Sequence, residues 1–234
     1  MPSTEASRGL LTNGDMEVIG RMPNSSNATL MVTVTCGDEE ARAIYKPGKG
    51  ERPLWDFPPG LYKREVAAYE LSRALGWDQV PCTVLRDGPF GPGSVQLFVD
   101  FDPQQHYFTL HEEREDLHDD LRRMAVFDFI ANNTDRKGGH VLLGTDGNVW
   151  GIDHGVCFSE DFKLRTVIWE FGGEPIPETM LAPVEAIARR IPADVADHLS
   201  HGEIGAMYER IEWLLTERAF PEPASRYEYP WPII

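Results

Sequence analysis

Asp135-Arg136-Lys137-Gly138-Gly139-His140, with Asp153-His154-Gly155 thirteen residues further on, is the stretch whose reading decides the fold. Between the two lie short apolar runs, Val141-Leu142-Leu143 and Asn148-Val149-Trp150-Gly151-Ile152, separated by Gly144-Thr145-Asp146-Gly147. Asp-Gly between apolar runs favours a tight hairpin turn. A hairpin returns the chain to where it started, so the spacing predicts that Asp135 and Asp153 face one small site. Two carboxylates so placed suit a base that orients an attacking hydroxyl and an anchor for a magnesium-bound phosphate.

Upstream of this hairpin, Leu117, Leu121, Met124, Phe127 and Ile130 recur at three- and four-residue steps and predict one long helix over residues 112–132. Further back, residues 15–20, 30–35 and 41–45 read as short strands in an antiparallel meander. Residues 48–60, rich in Gly, Pro and charge, form a loop expected to be ordered by Trp55 and Phe57. An amphipathic helix follows over 61–75, stopped by Gly76. Two more strands, 80–85 and 94–99, flank a turn over 87–93. Downstream, helices are predicted near 178–191, 193–199 and 202–218. The Pro- and aromatic-rich tail at 227–232 reads either as a strap packed on the second part or as a docking segment. The chain therefore divides into a flexible N-terminus (1–14), a sheet-rich part with one helix (15–100) and a mainly helical part carrying the hairpin (101–234).

Composition narrows the function. A chain of 234 residues with 41% hydrophobic residues and six Trp is long and apolar enough to bury a core. Its net charge of −16 repels DNA, RNA and anionic bilayers, so no nucleic-acid partner is expected. No apolar run approaches the ~20 residues that span a bilayer, so no stable membrane insertion is expected. The start Met-Pro-Ser-Thr-Glu-Ala-Ser lacks the basic and apolar regions of a signal peptide. Cys36, Cys82 and Cys157 are odd in number and form no CxxC pair. Reduced thiols in a cytoplasmic protein are the expectation.

A sheet part, a helical part and an acidic hairpin at the start of the second is the layout of a two-lobed kinase. The chain resembles the phosphoinositide 3/4-kinase-like branch of that fold, with the type II phosphatidylinositol 4-kinases nearest, and an actinobacterial family related to them. Six stretches carry the resemblance in order: Ile44-Tyr45-Lys46-Pro47, Arg64-Glu65-Val66-Ala67-Ala68-Tyr69, Val80-Pro81, Ser94-Val95-Gln96-Leu97-Phe98-Val99, Asp128-Phe129-Ile130-Ala131-Asn132-Asn133-Thr134-Asp135-Arg136 and Gly151-Ile152-Asp153-His154-Gly155. They cover residues 16 to about 160; the later helices match loosely. The implied fold is α+β, protein-kinase-like, with a small antiparallel-sheet N-lobe and a mainly helical C-lobe.

The resemblance also assigns roles. Lys46, paired with Glu65, holds the phosphates of ATP. The turn Asn24-Ser25-Ser26-Asn27 lacks the glycines of a protein-kinase phosphate loop, yet Ser25, Ser26 and Asn27 can still cap phosphates with short polar side chains and free N–H groups. Residues Gln96 to Val99 correspond to the hinge, where the backbone of Phe98 or Val99 meets adenine. Asp135 orients the acceptor hydroxyl, and Asp153 holds Mg2+ or Mn2+. Lys137 is either an added catalytic-loop charge or a solvated lysine. His140 stands where these kinases carry a metal-binding asparagine. Imidazole suits manganese moderately and magnesium poorly. Three outcomes follow: manganese in place of magnesium, a single metal, or nucleotide binding without chemistry. The leading expectation is an ATP-dependent phosphotransferase acting on an alcohol, either a protein Ser or Thr or an inositol- or lipid-like acceptor. The alternative is a nucleotide-binding pseudokinase acting as regulator or scaffold.

Overall fold

Strands rich in Val, Met and Thr build a five-stranded antiparallel sheet in the computed structural model, which describes residues 4–23 and 27–234. Its strands are β1 (Asp15–Arg21), β2 (Leu30–Cys36), β3 (Glu39–Pro47), β4 (Thr83–Gly88) and β5 (Gly91–Leu97), in the order β1-β2-β3-β5-β4. Alternation decides the buried face: Val32 and Val34 on β2, and Ala43 and Tyr45 on β3, are inaccessible while their neighbours are not. The β4–β5 connection is shorter than the seven-residue turn expected from its Gly and Pro content, because both strands run on until only Pro89 and Phe90 remain between them.

Residues 1–14 were expected as a flexible lead-in. Instead, Thr4–Asn13 forms helix α1, and Leu10 and Leu11 enter the core. Two adjacent leucines on one face supply the apolar contact that a short helix needs, since propensity alone holds so few residues weakly. Helix α2 (Leu61–Ala74) packs against β4 and β5 and is buried along most of its length, including the charged Arg64, Glu65 and Glu70. Gly60, at φ +98°, makes the turn into α2 that a side chain would strain. The Glu51 carboxylate accepts the Gly60 and Tyr62 N–H groups, so the 48–60 loop caps the helix that follows it. Phe57 is buried and orders this loop, whereas Trp55 stands almost fully in solvent.

The helical part contains α3 (Tyr107–Glu113), α4 (His118–Ala131), α5 (Glu178–Arg189), α6 (Ala193–Ala196) and α7 (His201–Glu217), with the hairpin β6 (Val141–Leu143) and β7 (Val149–Gly151). The single helix expected over 112–132 is broken: Arg114 leaves helical geometry, and a tight turn precedes α4. The apolar period continues across the break, which hid it from the sequence pattern. Arg64 on α2 makes a buried ion pair with Glu203 in the capping box of α7, joining the two parts. The tail packs as a strap. Glu228 accepts the Thr166 N–H at 3.0 Å, and Ile233 accepts the Gly138 N–H at 2.7 Å. No described helix is long and apolar enough to cross a membrane.

Candidate active site

Helix α4 ends on Asn132, whose left-handed backbone (φ +49°) turns the chain out of the helix. Its side chain donates to Ser159 and Asp161 carbonyls and accepts the Lys163 N–H. Asn133 accepts the Asp135 N–H at 3.0 Å and donates to Asp128. Backbone bonds from Arg136 to Arg165 and from Val167 to Arg136 clamp the far side of the loop. Asp135 is thus presented from a segment held on both flanks.

Arg136 anchors this loop from inside. Neither it nor Asp128 has any exposed surface, and the guanidinium grips the Asp128 carboxylate through Nε and Nη2 at 2.9 and 2.8 Å. Its Nη1 donates to the carbonyls of His140 and Ile152, and its Nη2 lies 2.7 Å from His154 Nε2. One buried side chain therefore ties together the Asp135–His140 loop, the end of β7 and Asp128 on α4. The sequence pointed to Arg136 only as a neighbour of Asp135. The available signal for Asp128 was an acid between Phe127 and Phe129 on the apolar helix, eight residues before an arginine.

Across the cleft, Lys46 at the end of β3 forms an ion pair with Glu65 on α2 and donates to Asp153 Oδ1 at 2.9 Å. The hairpin brings His140 Nε2 to 3.6 Å from Asp153 Oδ2. Lys137 pairs with Asp135 at 2.9 Å, so its ammonium faces the carboxylate rather than bulk water. Lys46, Glu65, Asp153 and His140 form one connected cluster, and the 3.0 Å contact of His140 Nδ1 with the Asp135 carbonyl joins it to the Asp135–Lys137 pair.

Charge and burial set the protonation states. Burial works against the Lys46 ammonium, but Asp153 and Glu65 overcome it and hold the group above the ordinary lysine range. Lys46 in turn holds the Asp153 carboxyl far below its usual range, against the effect of burial. Burial lowers His140, and Asp153 only partly opposes that. The imidazole is therefore neutral near pH 7. Its Nδ1 lies 3.0 Å from the Asp135 carbonyl and 3.5 Å from the Lys137 N–H, and its Nε2 lies 3.6 Å from Asp153 Oδ2. The closest contact, to the carbonyl, favours the proton on Nδ1 and leaves Nε2 as the donor atom beside Asp153. A carboxylate and a neutral imidazole lone pair form a two-donor edge. Mg2+ is usually bound by one or two carboxylates with phosphate oxygens and water completing the shell, so an imidazole at the second position suits Mn2+ better than Mg2+. Among the described residues no group of three or more His, Cys, Asp or Glu could hold a metal unaided.

The nucleotide-side expectations fare unevenly. Ser25 and Ser26 lie outside the described residues. Asn27 turns its side-chain oxygen to the Arg52 N–H at 2.9 Å, joining the β1–β2 connection to the 48–52 segment. Gln96 is buried and donates to Thr83 Oγ1 at 2.9 Å, so its side chain faces the sheet and not the cleft. The Phe98 N–H is committed to the Arg42 carbonyl at 3.0 Å, and the Arg42 guanidinium covers the Phe98 ring. Continued sheet pairing beyond β5 thus removes Phe98 as a donor. Val99 is different: it is buried, and its N–H and carbonyl have no partner among the described residues. Trp169 is buried against the tail, with Nε1 at 3.4 Å from the Glu228 carbonyl.

Residues 83–187 match the family model for phosphatidylinositol 3- and 4-kinase. Protein Rv2133c of Mycobacterium tuberculosis is 40% identical over 260 residues, covering 95% of this chain and 94% of that protein. Phosphatidylinositol 4-kinase gamma 4 of rice is 32% identical over 144 residues, 50% of this chain and 24% of the rice protein. Among solved structures, a Golgi casein kinase with Mn/ADP bound superposes with a TM-score of 0.57 at 14% identity, covering 99% of this chain and 80% of the other. The Helicobacter pylori proinflammatory kinase CtkA gives 0.52 at 12% identity, covering 90% and 94%. The fold is the two-lobed kinase fold, the chain belongs to one family with Rv2133c, and its residues 83–187 are similar to the phosphatidylinositol 3- and 4-kinase domain.

Proposed function

We propose that this protein is an ATP-dependent phosphotransferase that acts on an alcohol. The observation that carries this reading is the cleft arrangement in which one ammonium, Lys46, bridges Glu65 and Asp153 opposite the rigidly held Asp135. Adenine is placed against the unpaired backbone of Val99, and the phosphates against Lys46. Asp153 and His140 are the residues that would hold a divalent metal there. When bound, the metal neutralises phosphate charge. The Mn/ADP complex of the Golgi casein kinase supports a nucleotide and a divalent ion in this fold.

Asp135 orients the acceptor hydroxyl and takes its proton as the acceptor oxygen bonds to the γ-phosphorus. The bond from that phosphorus to the β,γ-bridging oxygen breaks, and ADP leaves. Lys137, 2.9 Å from Asp135 Oδ2, is placed to offset negative charge as the phosphoryl group passes. Positioning and charge neutralisation supply most of the rate, since no covalent intermediate with the protein is needed. The family suggests a phosphoinositide acceptor. The net charge of −16 disfavours work at an anionic membrane and favours a protein Ser or Thr or a soluble inositol- or sugar-like alcohol.

A second reading, a nucleotide-binding pseudokinase acting as regulator, draws on His140 at the metal position and on the Lys137–Asp135 pair occupying the candidate base. One experiment separates them. The protein is incubated with γ-labelled ATP, Mg2+ or Mn2+ and a lysate that is then divided into protein, lipid and small-molecule fractions. The phosphotransferase reading expects label in one fraction, reduced about 10²-fold or more in Asp135→Ala. ADP and ATP binding without transfer, unchanged in Asp135→Asn, would establish the regulator.

A further inference from the structure

His154 follows Asp153 directly. It is fully buried and makes two bonds in opposite directions. Its backbone N–H donates to Glu65 Oε2 at 3.1 Å, and its ring Nε2 lies 2.7 Å from Arg136 Nη2. A guanidinium has donors only, so Nε2 is the acceptor and the ring proton is on Nδ1. The tautomer is dictated by the partner.

Asp153 itself has φ +62°, the left-handed region that a residue with a Cβ enters only when its surroundings over-determine it. Those surroundings can be named. Arg136 Nη1 holds the carbonyl of Ile152, the residue before Asp153, at 3.0 Å. Arg136 Nη2 and Glu65 hold His154, the residue after it. The same Glu65 carboxylate pairs with Lys46 through its other oxygen. The strained residue is therefore gripped on both sides by two charged groups belonging to different parts of the molecule.

We propose that His154 is a positioning residue that fixes the Asp153 carboxylate, by bridging Arg136 of the catalytic loop to Glu65 of α2 so that both parts enforce one backbone conformation. The inference rests on the reading of Asp153 as the metal-phosphate anchor, but the bridge itself is a property of the ligand-free chain. Replacing the ring by a hydrocarbon fills the volume yet leaves Arg136 Nη2 without its acceptor. A glutamine can bring an amide oxygen to the place of Nε2.

The test compares His154→Leu and His154→Gln with the unmodified protein. The ring nitrogens are read by 15N NMR, the Asp153 carboxyl by 13C NMR, and Mn2+·ADP affinity by isothermal titration. The bridge requires a protonated Nδ1 and a bare Nε2 in the unmodified protein. It also requires a displaced Asp153 carboxyl resonance in His154→Leu that is restored in His154→Gln. Mn2+·ADP affinity should fall about 10-fold or more in His154→Leu, the range for groups that orient a metal ligand, and recover most of that in His154→Gln. As a control for general destabilisation, Leu181→Ala, a buried change on α5, should lower the melting temperature and leave Mn2+·ADP affinity unaltered. A proton on Nε2, or an unmoved Asp153 resonance in His154→Leu, overturns the proposal. If the unmodified protein fails to bind Mn2+·ADP, the functional reading fails, and the two NMR signals alone decide the bridge.

Discussion

Two acidic–basic clusters lie on either side of the same loop, and they are built differently. Asp128 and Arg136 are wholly buried, and every neighbour of the guanidinium is a fixed acceptor from the protein. Lys46, Glu65 and Asp153 form the other cluster, in which one ammonium serves two carboxylates and the Asp153 side chain is 53% exposed. The first cluster is complete without a ligand. The second carries excess negative charge at an open edge, with the neutral His140 lone pair beside it. The difference separates scaffold from workplace: a saturated buried pair fixes geometry, and an unsaturated half-open one remains able to take a cation and its phosphates.

Substitutions should therefore divide cleanly. Asp128→Ala leaves the Arg136 charge buried without its partner, a loss of about 3–5 kcal/mol, read as a lowered urea midpoint. If stability is unchanged, Arg136 is not the scaffold described here. Asp153→Asn should do the opposite. Its partly exposed contacts contribute little to folding, about 1 kcal/mol or less, whereas phosphoryl transfer should fall about 10²-fold. A large loss of stability there would erase the contrast.

A smaller effect comes from pH. Burial holds His140, His154 and His198 below the ordinary histidine value of 6.5. Below that value the unfolded chain binds protons at these positions that the folded chain does not. Stability is then fully present above about pH 6.5 and declines as the solution is acidified through the window beneath it. Urea titrations at stepped pH should show this slope. His198→Gln, which lies away from the cleft cluster, should remove part of it. A flat profile over the same range would show that these rings titrate alike in both states.

Much of this arrangement was legible before any coordinates. The hairpin between Asp135 and Asp153 could be read because period, turn residues and spacing agree, and such local signals survive tertiary context. The Lys46–Glu65 pair was legible only through resemblance, since nineteen residues and a loop separate the partners. What escaped reading depended on long-range partners. Helix α1 is held by its two leucines in a core assembled from distant elements. The break at Arg114 preserves the apolar period and so leaves no trace in it. Gln96 and Phe98 were expected at the hinge, but Thr83 takes the Gln96 side chain and Arg42 the Phe98 N–H, pairings that no local pattern reveals. Neither Asp128 nor His154 shows in sequence the chain fold that brings both to Arg136.

The most direct measurement is a crystal structure of the protein with Mn2+ and a non-hydrolysable ATP analogue. The account predicts the metal at coordination distance, about 2.1 Å, from Asp153 and His140 Nε2, with phosphate oxygens on Lys46 and adenine on the Val99 backbone. A nucleotide bound away from the cleft, or a metal that leaves both Asp153 and His140 untouched, would contradict it.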